Sequence, residues 1–215
     1  MADQTAHRIL VLEGLEAVRQ RPAMYIGAGD EHPSPRVHLL EIALTHIAWE
    51  WRPQEVRILL WREDAVTIAH DGRPLPIEPC AHPADDIPHP ALYESFMHLP
   101  AGAPDGLAIL NALSERLVVS TIHDSRRYRS VFSKGMIASL LSFRHCLGPP
   151  LGDTWLTYRP DATIVAGQAL IPEDLHGIAE RVGMNLHRIS RRLELNAEGV
   201  RIQVEGRTTE DADWD

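Results

Sequence analysis

The chain has 215 residues, enough for one well-buried core, and its 44% hydrophobic and 24% charged content is that of an ordinary globular protein. Its net charge of −9 argues against direct DNA binding, which needs clustered cations, and the cationic residues are 20 arginines and one lysine, Lys134. No apolar run reaches the length of a membrane span and the opening MADQTAHR lacks a signal-peptide pattern, so no membrane association is expected and the expected location is cytoplasmic.

In chain order, residues 12–21 carry apolar Leu12, Leu15 and Val18 at helical spacing, and this short amphipathic helix should stop at Pro22. Residues 37–51 (VHLLEIALTHIAWEW) are apolar on nearly all sides, which predicts a central buried helix that takes Glu41 and His46 inside with it. Residues 55–61 and 65–70 read as a hairpin around the charged turn Arg62-Glu63-Asp64. The turn Asp71-Gly72-Arg73-Pro74 follows. Residues 74–104 are rich in Pro, His and Asp, with one helical candidate at 91–97, and form the expected mobile or partner-facing loop.

Residues 106–113 (GLAILNAL) predict another apolar helix, and strands are expected at 116–123, 128–134, 139–143 and 154–158. A helix from 172 to 182 or beyond, a strand at 200–204 and an acidic tail complete the pattern. Strands outnumber helices and alternate with them in pairs. That favours a two-layer α/β sandwich, with a mixed, largely antiparallel sheet, over a doubly wound one.

Cys80 and Cys146 have no metal spacing between them. Cys80, His82, Asp85, Asp86, His89 and His98 gather ligand types in one loop. Their C-x-H spacing fits no standard zinc pattern, and the expectation is a polar, proline-rich loop with incidental histidines. Trp49, Trp51 and Trp61 are candidates for a partner surface or for the core.

Four blocks carry a family resemblance. ILVLEGLEAVRQRPAMYIG (9–27) is similar to the VLEGLEAVRKRPGMYIG of the ATPase domain of gyrase B and topoisomerase IV B subunits, members of the GHKL superfamily. HDGRPLP (70–76) resembles that family's DDGRGIP, and NALSERLVV (111–119) resembles its NALS helix end with the following strand. DTWLTYRPD (153–161) resembles GTxVxFxPD. The blocks keep the family's order over 9–204. The resemblance implies the Bergerat-type ATP-binding fold, with helices on one face of the sheet. It also implies a short N-terminal arm (1–8), a nucleotide-binding domain (9–206) with a variable loop (74–104), and a tail (207–215).

The resemblance places Glu41 where the family has the glutamate that activates the attacking water. Thr45 stands at the family's magnesium-binding asparagine, a shorter and weaker ligand, and Leu44 at a further acidic position. His70 replaces the aspartate that reads adenine, and a neutral imidazole accepts at only one nitrogen. Asp71, Gly72, Arg73 and Pro76 keep the rest of the turn, whereas Pro74 replaces a glycine. Where the family wraps the triphosphate with GGKF and GGLHGVG, this chain reads HLPAGAPDGLAIL. Gly106 aligns with the last glycine and Gly102 falls near, Pro104 has no N–H to offer, and Asp105 adds negative charge. Thr154 matches a threonine that orients adenine through water, Arg129 lies on an arginine-bearing strand, and Gln4 falls at the tyrosine of the dimerising arm.

The resemblance implies ATP and Mg²⁺ as cofactors of a functional site. The family continues past this point into a transducer domain that supplies a phosphate-binding lysine, so the expectation is a stand-alone module and not a complete topoisomerase. Three readings stand at this point. The chain is an ATP-binding module with weak or no hydrolysis that acts through nucleotide-dependent association with a protein partner or a second copy. Or it is a pseudo-enzyme scaffold. Or it is an ATPase component working with separately encoded topoisomerase parts.

Overall fold

The computed structural model describes residues 14–28, 33–80, 88–99, 106–145, 153–171, 174–175, 177–178, 181–182 and the backbone of 201–205. The expected arm and tail, together with Gln4, Gly102, Pro104 and Asp105, lie outside the described residues.

Helix α1 (Gly14–Gln20) buries Leu15 and Val18, and α2 (Ala23–Ile26) buries Ile26 just beyond the expected stop at Pro22. Ser34 caps α3 (Pro35–His46) by accepting from the Val37 N–H, and Pro35 occupies its first turn, where no N–H partner is lost. The expected single helix over 37–51 is corrected in one respect. After His46 the chain widens into a π turn, Ile47–Trp51, and ends at Arg52 in the left-handed region with φ 47°. This turn brings Trp51 into the core instead of leaving it at a partner surface; Trp61 is half-buried and donates to Thr67.

Strands β1 (Glu55–Leu60) and β2 (Val66–His70) form the expected antiparallel hairpin, with Ile58 opposite Ile68. The loop that follows is less irregular than expected, because β3 (Pro79–Cys80) and β4 (His89–Pro90) pair as a two-residue ribbon before α4 (Leu92–Met97). Prolines in both halves hide that ribbon from a strand pattern. Helix α5 (Gly106–Ala112) is buried throughout. A meander of β5 (Ser114–His123), β6 (Arg126–Ser133) and β7 (Met136–His145) follows, then β8 (Thr154–Pro160) and β9 (Arg201–Glu205). Of the helix expected over 172–182, the described positions are helical.

The main sheet has the order β7-β6-β5-β8-β2-β1-β9. Its neighbours pair antiparallel except β1 and β9, which are parallel, so the sheet is mixed and largely antiparallel as expected. Helices α1, α3, α4 and α5 pack on one face. Leu39, Leu40 and Leu44 of α3 and Leu107 and Leu110 of α5 share one core with Ile58, Ile68, Phe132, Leu156 and Tyr158 of the strands. The fold is a two-layer α/β sandwich.

Candidate functional site

Side chains alternate along a strand, so residues two apart share a face. Ile68 and Leu156 face the helices, which puts His70 and Thr154 on the same face at one end of the sheet. Register places His70 opposite Thr154, and Thr154 opposite Thr121. Three strands thus deliver His70, Thr154 and Thr121 to one corner beneath the helix layer.

His70 is 2% exposed and stacks on Trp51, with ring centroids 5.0 Å apart and planes 26° from parallel. Burial lowers its pKa to about 4, against an opposing pull from Asp71, so the ring is neutral near pH 7. Its Nδ1 accepts from the Gly72 N–H at 3.2 Å, which leaves the proton on Nε2. That Nε2–H is buried and meets no hydrogen-bond partner among the described residues. His46, at the end of α3, meets Trp51 edge-on at 5.6 Å and is likewise lowered to about 4 by burial.

The Asp71-Gly72-Arg73 turn is built into the scaffold. The Asp71 carboxylate accepts from the Gln54 and Glu55 N–H groups, both at 2.9 Å, and so caps the start of β1. Gly72 lies so close to the chain around Trp51 that a Cβ would come within 2.5 Å of the Trp51 carbonyl oxygen. The Arg73 N–H donates to that same oxygen at 2.8 Å. Thr154 is also engaged: its hydroxyl lies 3.0 Å from that of Thr121, which accepts from the Leu75 N–H at 3.1 Å. The Pro76 carbonyl accepts from the Leu92 N–H at 2.8 Å, tying the turn to α4.

A second group sits on the helices. Glu41 and Thr45 are one turn apart on α3 and share a side of it. Glu41 is largely buried, and its Oε1 accepts from the Nε of Arg181 in a short, charge-assisted pair. The Glu41 carboxylate, expected from the resemblance to be the catalytic one, is thus already held by a cation. Gly106 opens α5 against α3; a Cβ there would lie 2.5 Å from the Ile42 carbonyl oxygen. Its glycine is thus required for helix packing, next door to Glu41. Arg129 lines a surface groove on the meander with Arg116, Lys134 and Arg159, away from the His70 corner.

Three contributors carry no signature in the sequence. Trp51 reads only as a core or surface candidate, Thr121 belongs to no motif, and Arg181 falls in an ordinary helix. Contacts, not a linear pattern, bring each to the site. Conversely, Cys80, His89 and Glu94 come together on the ribbon and α4, although the spacing of Cys80 and His89 had argued otherwise.

No protein-family model matches the chain. The type 2 topoisomerase B subunit of Aquifex aeolicus is 29% identical over 188 residues, which are 75% of this chain and 22% of that protein. The DNA topoisomerase 4 B subunit of Bartonella bacilliformis is 30% identical over 200 residues, 81% of this chain and 27% of that protein. The chain thus spans about a quarter of the length of these relatives. Among solved structures, the 43K ATPase domain of Thermus thermophilus gyrase B, in complex with an aminocoumarin, superposes with a TM-score of 0.64. It is 27% identical, and the match covers 80% of this chain and 46% of that one. No helix among the described residues is long and apolar enough to cross a membrane. In sequence and in fold, over most of its length, the chain is a relative of the ATPase domain of gyrase B and topoisomerase IV B subunits.

Proposed function

We propose that the chain is a gyrase B-like nucleotide-binding module with weak or no hydrolysis, acting in the cytoplasm through nucleotide-dependent association with a protein partner. The observation that supports this reading is the buried Nε2–H of His70, without a partner among the described residues, at the strand end where the resembled family reads adenine. A buried donor without an acceptor costs roughly 1–3 kcal/mol, and a purine ring nitrogen would remove that cost. The polarity is inverted relative to an aspartate, so His70 addresses a ring nitrogen and not the exocyclic amino group.

Weak hydrolysis follows from the helix side. Glu41 gives Oε1 to Arg181, and Thr45 is a single hydroxyl for a metal that prefers carboxylates and phosphate oxygens. Magnesium would therefore arrive with the nucleotide's phosphates, and no hydrolytic step is assigned to these side chains.

The scaffold reading is favoured by a different set of contacts. Asp71, Gly72, Thr154 and Gly106 are all committed to packing or internal hydrogen bonds. Thermal-shift and calorimetric titration with ATP, ADP and a non-hydrolysable analogue, with and without Mg²⁺, separates the two. Saturation at a hundredfold excess over Kd stabilises a native state by about 2.7 kcal/mol, so binding gives a clear rise in midpoint. No shift at millimolar nucleotide removes the first reading and leaves the scaffold. Phosphate release that is unchanged in Glu41→Ala shows that Glu41 is no base.

A further inference from the structure

The ribbon and α4 bring three ligand types from three places in the chain to one point. Cys80 on β3 pairs directly with His89 on β4, so their side chains leave the ribbon on one face. Glu94 comes from the first turn of α4. Its Oε1 lies 2.8 Å from His89 Nε2 and 3.8 Å from Cys80 Sγ, and the three donor atoms all fall within 4.8 Å of one another. A tetrahedral ion with bonds of about 2.0–2.3 Å holds its ligands at such separations. His98 caps the C-terminal end of α4 in extended backbone, and its ring stacks on His89 with centroids 6.3 Å apart. A tetrahedral ion bound by the other three side chains has its fourth position open to water.

We propose that Cys80, His89 and Glu94 form a three-ligand site for a zinc-class divalent cation. The mixture of thiolate, imidazole and carboxylate suits borderline-soft metals and disfavours magnesium and calcium, which take oxygen-only shells. All three side chains are half-buried, accessible to an ion yet partly shielded. The place in the fold gives the ion a task. The ribbon pairs two residues on each side, and a two-stranded ribbon has little stability of its own. A bridging ion fastens it to α4, which packs on α5. Binding replaces the thiol proton and the His89–Glu94 hydrogen bond with coordinate bonds, and the displaced proton passes to solvent.

The test uses the full, reduced chain after chelation and desalting, titrated with Co²⁺ and then with Zn²⁺. The expected result is a thiolate-to-cobalt charge-transfer band with intense visible tetrahedral bands, bleached by one equivalent of Zn²⁺. Cys80→Ser removes the charge-transfer band while Cys146→Ser keeps it. His89→Ala and Glu94→Gln each weaken Zn²⁺ binding about tenfold or more, on the scale known for disturbed metal sites. Zn²⁺ raises the unfolding midpoint of the native chain and not that of Cys80→Ser, whose own metal-free transition serves as the folding control. A Co²⁺ complex without the thiolate band, or one that survives in Cys80→Ser, overturns the proposal. So does Zn²⁺ affinity unchanged in both His89→Ala and Glu94→Gln.

Discussion

Arg19 joins Asp161 across 142 residues of sequence, its Nη2 2.8 Å from the carboxylate Oδ2, while its Nη1 donates to the Ala112 carbonyl at 2.7 Å. One guanidinium thus ties α1 to the end of α5 and to the exit of β8. Asp161 is 2% exposed and is further held by the Thr163 hydroxyl at 2.6 Å, with Lys134 at 3.7 Å.

Truncating Arg19 leaves this buried carboxylate with a distant lysine as its main cation. Arg19→Ala is expected to lower stability by about 2–4 kcal/mol, read from urea midpoints, because breaking a buried pair strands the remaining charge. Lys134→Ala, at an exposed site, is expected to cost less than about 1 kcal/mol. A double-mutant cycle of Arg19→Ala with Asp161→Asn reports their coupling, and a coupling near zero would show that the contact carries no energy.

Acid sensitivity is expected in two stages. Burial drops His46 and His70 from 6.5 to about 4, so in that interval the unfolded chain binds more protons than the folded one. Stability present above pH 6.5 is lost as pH falls toward 4, by about 3 kcal/mol per histidine. Burial raises the Asp161 pKa, but hydrogen bonds from Thr163 and Arg19 and the charge of Lys134 outweigh it and hold the group at about 2. Its contribution, about 2 kcal/mol, is present above pH 3.8 and is lost as pH falls to 2. Denaturant melts from pH 8 to 3 measure the first stage, and a flat profile between 6.5 and 4 would contradict it.

Gly72→Ala forces a methyl group against the Trp51 carbonyl, where the Trp51 and Pro53 backbone leaves little room to yield. The expected loss is about 1–3 kcal/mol, with a change in tryptophan emission as the Trp51–His70 stack shifts. Thermal unfolding followed by fluorescence checks both. An unchanged midpoint would mean that the turn is free to move.

Arg181→Ala leaves Glu41 largely buried without its cation. Arg181 is itself about one-third exposed, so solvent screening limits the expected loss to about 1 kcal/mol. Urea titration beside Glu41→Gln tests the pairing. Equal stability of both variants and the native chain would dissolve it.

The sandwich was legible because its signals are local. Alternation marked β2, unbroken apolarity marked α3 and α5, and the four blocks kept their order. What escaped notice is what depends on meeting across the chain. Nothing near Glu41 announces Arg181, and nothing near His70 announces that Trp51 will lie on its ring. The ribbon was hidden because Pro79 and Pro90 remove the donors and the pattern by which strands are recognised. Cys80, His89 and Glu94 failed as a linear motif and succeed as a spatial one, since register, not spacing, sets them face to face. The DGR turn shows the reverse. Its residues looked chosen for chemistry, and the contacts show that Asp71 and Gly72 are needed to close the scaffold.

The stack of Trp51 on His70 also decides which side chains suit position 70. An aspartate introduced at position 70 would set a carboxylate beside the electron-rich face of the indole, in a place where water does not reach it. It could still accept from the Gly72 N–H two residues on, but it would lose the stack on Trp51. The stack and the burial together favour a neutral ring at this position over a charged group, because a buried charge without a partner is costly.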